Sequence, residues 1–331
     1  MSLRATSDRF WYPPLPAARL AVLRCAVGAY ALVYLLVRAS SLLSVVHFGA
    51  AEFAPVGPVR LLVSPLPAWL VYTSLSVAVL SGAGFVLGAA YRVCGPLFAL
   101  SFLWVTSYRS SWGMIFHTEN LTALHLALLA VAPAADTLSV DAQRRARVGS
   151  AAAASAAPSG RYGWAVRALC AVTVTTYVLA GIAKLRLAGG HWLDGDLLRA
   201  QVAYDNLRKI ELGSVHSPLG VWLVLYAWPF RTLSWASLLL ELGAPLSLLH
   251  ERLARLWVFG VFGFHVGVLA LMAIGFPYQL SFVAYLSFFP LERGVPFLQR
   301  LRGAARRASR AASRSARAAR DPGSEPRHHR S

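Results

Sequence analysis

Lysine is nearly absent from this chain: only two of its thirty-two basic residues are lysines, and the rest are arginines. Acidic residues are also few, fourteen against those thirty-two, and charge is sparse outside the ends and one linker. Cysteine occurs three times, at Cys25, Cys94 and Cys170, each within or beside an apolar run and none at metal-ligand spacing. The cysteines therefore read as small buried apolar residues, and neither a disulfide framework nor a metal site is expected. A His-Glu-x-x-His pair, a Cys-x-x-Cys pair, a phosphate-binding glycine loop and a Gly-x-Ser-x-Gly elbow are all missing. These absences exclude the common chemistries of soluble enzymes. No repeat relates one half of the chain to the other, which counts against an inverted-repeat transporter.

What the chain has in abundance is apolar length. Of its 331 residues, 57% are hydrophobic, a membrane-protein composition. Several runs approach or exceed the roughly 20 residues that cross a bilayer as a helix. The reading is an all-α polytopic transmembrane helix bundle of about eight spans with no large extra-membrane domain. The spans fall near 19–37, 66–90, 93–109, 120–134, 166–185, 219–249, 255–275 and 278–291. The sixth is overlong and interrupted by Trp228-Pro229-Phe230-Arg231, so it reads either as one kinked helix or as a re-entrant half followed by a full span. The first run holds Arg24 and no small-x-small site follows it, so it reads as a span and not as a cleaved signal.

The net charge of +18 is unevenly spread. Ten arginines from Arg300 to Arg330 crowd the end of the chain, and Arg144, Arg145, Arg147, Arg161 and Arg167 form a second cluster. In a soluble protein such basicity would suggest nucleic acid. Here the positive-inside rule accounts for it, and no nucleic-acid partner is expected. With the N-terminus inside, every arginine cluster lands on the cytoplasmic side. That gives a cytoplasmic segment over 1–18, four spans over 19–141, a basic Ala/Ser linker over 142–165, four spans over 166–292 and an Arg-rich cytoplasmic tail over 293–331. Both termini are then cytoplasmic, in a protein expected in the plasma membrane with the lipid bilayer as its first partner. Loop 186–218 is external. Its stretch 191–215 reads as a short amphipathic surface helix, with Trp192 as an interfacial anchor. In the tail, Arg307, Arg310, Arg314 and Arg317 would form one stripe if helical, suited to anionic headgroups, or else only fix topology.

Within such a bundle, ionisable residues are functional hypotheses. Lys184 closes the apolar run 171–185 at the outer face. Arginine stays charged, whereas a desolvated lysine can give up its proton and act as a base. The competing reading is a lysine that snorkels to the interface and anchors its helix. Glu241 lies in the sixth span, where it could instead neutralise a buried arginine such as Arg24. His265 lies in the seventh, where it could bond a carbonyl on a neighbouring helix. His117 and Glu119 stand at the entrance to the fourth, and His125, deeper along it, reads as structural.

The segment Y-V-L-A-G-I-A-K-L followed by H-W-L-D-G (177–195) resembles the signature of the vitamin K-dependent gamma-carboxylase membrane domain, shared with bacterial HTTM (horizontally transferred transmembrane) proteins. Two further pieces fit in order, L-L-E-L-G-A-P-L (239–246) and F-H-V-G-V-L-A-L-M-A-I-G-F-P-Y (264–278). The resemblance covers roughly residues 17–292. It implies a carboxylase-like site in which Lys184 is the base that deprotonates reduced vitamin K or another quinol. The quinol reacts with oxygen, the alkoxide so formed removes a glutamate proton, and carbon dioxide adds. By the same resemblance His265 is a site neighbour, and His117, in F-H-T-E-N (116–120), stands for the family's Asn/His pair. Glu119, Asn120, Trp192, Glu241, Phe276 and Tyr278 are then expected to line the substrate site, with no metal. The carboxylase continues into a large extra-membrane domain that helps hold its protein substrate, and this chain has a short basic tail there, which sets protein carboxylation in doubt. Two other readings stay open. One is a non-enzymatic lipid- or quinone-binding subunit for a membrane or extracytoplasmic protein partner. The other is a small transporter with Lys184 and Glu241 as a relay pair.

Overall fold

Backbone polar groups in lipid must be satisfied within the chain, and helices do this locally. The computed structural model describes residues 3–113, 118–149 and 157–294, and no β-strand occurs among them. The α-helices are α1 (Leu3–Trp11), α2 (Ala17–Val37), α3 (Ala39–Leu43), α4 (Ala68–Leu87), α5 (Tyr91–Ser110), α6 (Asn120–Val131), α7 (Val140–Arg147), α8 (Gly160–Ala188), α9 (Asp196–Glu211), α10 (Pro218–Leu223), α11 (Trp228–Leu242), α12 (Glu251–Met272) and α13 (Pro277–Leu280). The segment 191–215, expected to hold a short amphipathic helix, contains the sixteen-residue helix α9, in which Val202 and Asn206 are buried.

Four helices among the described residues are long and apolar enough to cross a membrane: α2, α4, α8 with the turn after it, and α12. Their outward faces are apolar, with Val37, Leu80, Leu179 and Leu256 all exposed. The other apolar runs among the described residues form helices that are shorter or carry charge. The 20-residue α5 carries Arg92 and Arg109, and α6 has only twelve residues. The segment 219–249 is neither one kinked helix nor a half followed by a full span. It is broken into α10, α11 and a 3-10 turn at Ala244–Leu248, each with a proline in its first turn. Proline starts a helix well and cannot continue one, because it lacks the donor and clashes with the preceding turn. The last segment is likewise short. After α13, Phe282 takes φ +65° and the chain continues as a 3-10 helix, Val283–Phe288.

Helices α2, α4, α5 and α6 pack together, and α8 packs on α11 and on the turn 244–248, which in turn packs on α12. Contacts of α8 with α6 and α2 join the two groups. A buried cluster of Tyr177, Trp257, Val258, Val261, Tyr278 and Tyr285 fills the space between α8, α12 and the last segment. The end of α12 is held by its neighbours. Asn206 Nδ2 donates to Leu271 O at 2.9 Å, while Lys209 and Ser217 donate to the carbonyls of Met272 and Ala270. Three otherwise orphaned C-terminal carbonyls thus receive donors from α9 and the start of α10. The expected cytoplasmic linker 142–165 is partly helical, since α7 runs to Arg147 and α8 begins at Gly160.

A second unit comprises residues 291–331, of which the described part is a 3-10 turn, Leu291–Gly294. The arginine stripe 307–317 lies outside the described residues.

Candidate functional site

One face of α8 carries Thr173, Tyr177, Gly181 and Lys184 at steps of four, four and three residues, the spacing that keeps side chains on one side of a helix. Each faces a different partner, and together they form a polar ladder through an otherwise apolar interior.

At the first rung, Thr173 donates to Leu169 O at 2.9 Å. Its oxygen must therefore accept from His125 Nε2, 3.0 Å away, which leaves Nδ1 to accept from the Tyr278 hydroxyl at 2.7 Å. All polar atoms of His125 are satisfied, so it is structural, as the sequence suggested, and the hydroxyl of Tyr278 is committed to it. At the second rung the buried Tyr177 hydroxyl meets His265 Nε2 at 2.8 Å and Tyr285 OH at 2.7 Å. His265 thus bonds a phenol on α8 and not a carbonyl. Its Nδ1 is buried without a hydrogen-bond partner among the described residues, and the ring of Phe276 packs on the imidazole with centroids 4.9 Å apart.

The third and fourth rungs work as a unit. Gly181 faces α11, and a Cβ there would stand 2.8 Å from Leu242 Cδ2 and 3.1 Å from Glu241 Cβ. A residue without a side chain lets the two helices approach closely. One turn on, Lys184 Nζ reaches Glu241 Oε1 at 2.5 Å. The Lys184 side chain is 20% exposed and that of Glu241 5%. Lys184 therefore does not snorkel to the headgroups, and Glu241 pairs with it and not with Arg24. The ammonium also lies 4.9 Å from the centre of the Trp192 ring and 5.5 Å from that of Phe264, within cation–π reach. Trp192 is 5% exposed and donates through Nε1 to Ser237 Oγ at 3.3 Å. It is a wall of the pair and not an interfacial anchor. The second carboxylate oxygen, Glu241 Oε2, is buried and has no hydrogen-bond partner among the described residues.

Arg24 is fully buried elsewhere, on α2. Its Nη2 donates to Leu138 O at 2.7 Å, and Gly88, at φ +62°, leaves it room. No ion pair to it occurs among the described residues.

A second polar group surrounds a cavity of about 390 Å³. Glu119 lines it and accepts from the Tyr34 hydroxyl at 2.5 Å. Arg38, Arg208, Lys209, Asp205 and Phe276 line it as well, and Lys209 pairs with Asp205 at 2.7 Å. Asn120 opens on an adjoining cavity that Glu119 also borders. Aromatic rings connect the two groups. Lys184 lies over Phe264, Phe264 packs on His265 at 5.2 Å, and His265 packs on Phe276 at the cavity wall. The structure thus brings Lys184, Glu241 and Trp192 into contact. It places His265 one ring away and sets Glu119, Asn120 and Phe276 around the cavities. His117 lies outside the described residues. Sequence reasoning missed Phe264 and Lys209. The first lies next to His265 in the chain, and the second was the one remaining lysine, so each carried a visible signal.

The HTTM domain family model matches residues 12–292, and the chain belongs to that family. No curated protein and no solved structure matches it.

Proposed function

We propose that this HTTM protein is an integral membrane protein that removes the proton of an acidic hydroxyl on a lipid-soluble ligand of the quinol kind, at the Lys184–Glu241 pair. The observation that carries this reading is the buried oxygen of Glu241 that has no hydrogen-bond partner among the described residues, beside a matched ammonium. A hydroxyl donating to Oε2 would pass its proton to the carboxylate. The oxyanion left behind would be held by the Lys184 ammonium, with Trp192 and Phe264 flanking a flat ring. No net charge is created in the site by this transfer, which suits a low-dielectric interior. A bound quinol would supply the acidic hydroxyl and, with dioxygen, an oxidisable ring. Carboxylation of an acceptor by carbon dioxide is the continuation that the family resemblance implies.

The topology that goes with this reading has about eight traverses, with both termini cytoplasmic in the plasma membrane. It is supported by which ends of the chain meet. The beginnings of α2 and α12 and the first third of α8 border one cavity, while the ends of α2 and α12 and the entrance to α6 border another.

The test is oxidation of a naphthoquinol by the full chain in nanodiscs, followed by oxygen uptake and by product analysis for the epoxide. Turnover should be lost in Lys184→Ala, Lys184→Arg and Glu241→Gln, by about 10²-fold or more, the usual contribution of a positioned base. Saturable quinol binding without turnover in the folded wild type would overturn catalysis and leave a quinone-binding subunit. The contact between Lys184 and Glu241 also favours a proton relay. Proton uptake by proteoliposomes, lost in the same variants and independent of quinol, would establish that reading instead.

A further inference from the structure

At the end of the bundle where α2 and α12 begin, the structure holds a cavity of about 360 Å³ that the proposed reaction does not use. Arg19 of α2 and Arg167 of α8 line it, both half-buried. Arg167 is held in position from two sides. Its guanidinium lies 4.9 Å from the centre of the Phe10 ring, and Nη1 donates to Leu248 O at 3.3 Å. The start of the 22-residue α12 borders the same space through His250 and Glu251. The positive end of that helix dipole adds to the two guanidiniums. Among the described residues Glu251 is the one acid on the wall, and it is exposed. Ser247 and Ser287 add hydroxyls, and Leu15, Val166 and Phe288 form an apolar part of the wall.

Two guanidiniums, that of Arg167 held in place, and a helix start favour a phosphate, because the arginine fork matches its oxygens in pairs. The cavity is several times larger than a phosphate ion, and its apolar walls would gain nothing from a free one. Arginine clusters near a membrane surface also face the leaflet richest in anionic lipid. We propose that this cavity binds the headgroup phosphate of an anionic phospholipid, with Arg19 and Arg167 on the phosphate and Leu15, Val166 and Phe288 along the glycerol and the start of the acyl chains. The inference is independent of the chemistry assigned to Lys184.

The test uses the full chain, delipidated in a neutral detergent, with thermal unfolding followed by tryptophan fluorescence. Short-chain phosphatidylglycerol should raise the midpoint saturably, while phosphatidylcholine of the same length and inorganic phosphate should not. Arg19→Ala and Arg167→Ala should each weaken the phosphatidylglycerol effect at least about tenfold, the loss of one charge-assisted contact. Ala254 lines the cavity and is 5% exposed. Ala254→Leu fills the space without changing charge and should abolish the effect, so the proposal stays testable even if an arginine variant fails to fold. Arg92→Ala, exposed and outside the cavity, should leave it intact. An equal shift with inorganic phosphate alone would replace the lipid by a free anion. A phosphatidylglycerol effect unchanged in Arg19→Ala and in Ala254→Leu would overturn the site.

Discussion

Removing one partner of the Lys184–Glu241 pair should destabilise the bundle far more than removing both. At 2.5 Å and an effective dielectric constant of about 20, the gross attraction between two unit charges is about 7 kcal/mol. Desolvation cancels much of that, which is why replacing a whole buried pair by apolar residues is often neutral, whereas breaking one costs about 3–5 kcal/mol. Lys184 keeps 20% of its side chain exposed, so an orphaned ammonium would recover some hydration and the cost falls toward the lower figure. Glu241→Leu is therefore expected to cost about 2–3 kcal/mol, and Lys184→Met more, about 3–5 kcal/mol, because the carboxylate it leaves behind is the more buried partner. The double variant Lys184→Met/Glu241→Leu should lie within about 1 kcal/mol of wild type, giving a coupling of about 3 kcal/mol or more. Glu241→Gln should fall between, since an amide oxygen still accepts from the ammonium but leaves its charge unmatched.

The assay is reversible unfolding of the four proteins in mixed micelles of rising denaturing-detergent fraction, read by tryptophan fluorescence. Trp192, packed beside the pair, supplies a local signal. Additive single-variant costs, with coupling below about 0.5 kcal/mol, would mean that the two side chains do not act as a pair. That result would also remove the basis for the proton transfer proposed above.

Three other substitutions probe the supports of the site. Gly181→Val should push α8 from α11, cost about 1–3 kcal/mol by overpacking and reduce the Lys184–Glu241 coupling in the same unfolding cycle. Gly88→Ala should cost about 2 kcal/mol or more. Gly88 has φ +62° and a Cβ there would stand 1.8 Å from Arg24 Nη1, so a midpoint equal to wild type would contradict the placement of Arg24. Tyr278→Phe should cost about 1–2 kcal/mol, because it leaves His125 Nδ1 without its donor. The same variant should leave quinol binding unchanged in a titration of the folded protein, and a large loss of affinity would return Tyr278 to the ligand site.

Composition and apolar periodicity were enough to read an all-helical membrane protein and to single out Lys184, Glu241 and His265. The partners were not decided: the relay reading paired Lys184 with Glu241, but Arg24 stood beside it as a partner for Glu241, and Tyr177 was not proposed for His265. Lys184 and Glu241 are 57 positions apart, and what brings them together is a close approach at Gly181, a contact between two helices that no local pattern encodes. Arg24 and Lys184 were equally open as partners of Glu241 in sequence, and the structure pairs it with Lys184; for His265 a carbonyl was expected, and the structure gives the Tyr177 hydroxyl. Helix boundaries were least legible where prolines interrupt apolar runs. A hydropathy reading sees 219–249 as one segment, but Pro218, Pro229 and Pro245 each open a new short helix. Trp192 was misread because an aromatic residue in an external loop suits an interface equally well. Only the packing against Ser237 and Lys184 shows that it turns inward.

The scarcity of lysine drew attention to Lys184, yet both lysines turn out to be matched to acids, Lys184 to Glu241 and Lys209 to Asp205. Rarity therefore does not separate a reactive lysine from a structural one, and the surroundings do. Lys209 also donates to Met272 O, so its ammonium is spent between an acid on its own helix and the carbonyl end of α12. That is the work of a cation at a helix C-terminus, where charge and dipole agree. Lys184 has no such carbonyl among its hydrogen bonds. Its contacts are one carboxylate oxygen and two aromatic faces, and the partner carboxylate keeps its other oxygen open. A satisfied lysine holds structure. In the proposed reading, the unpartnered oxygen of that pair, with Trp192 and Phe264 beside the ammonium, is where a ligand hydroxyl would donate.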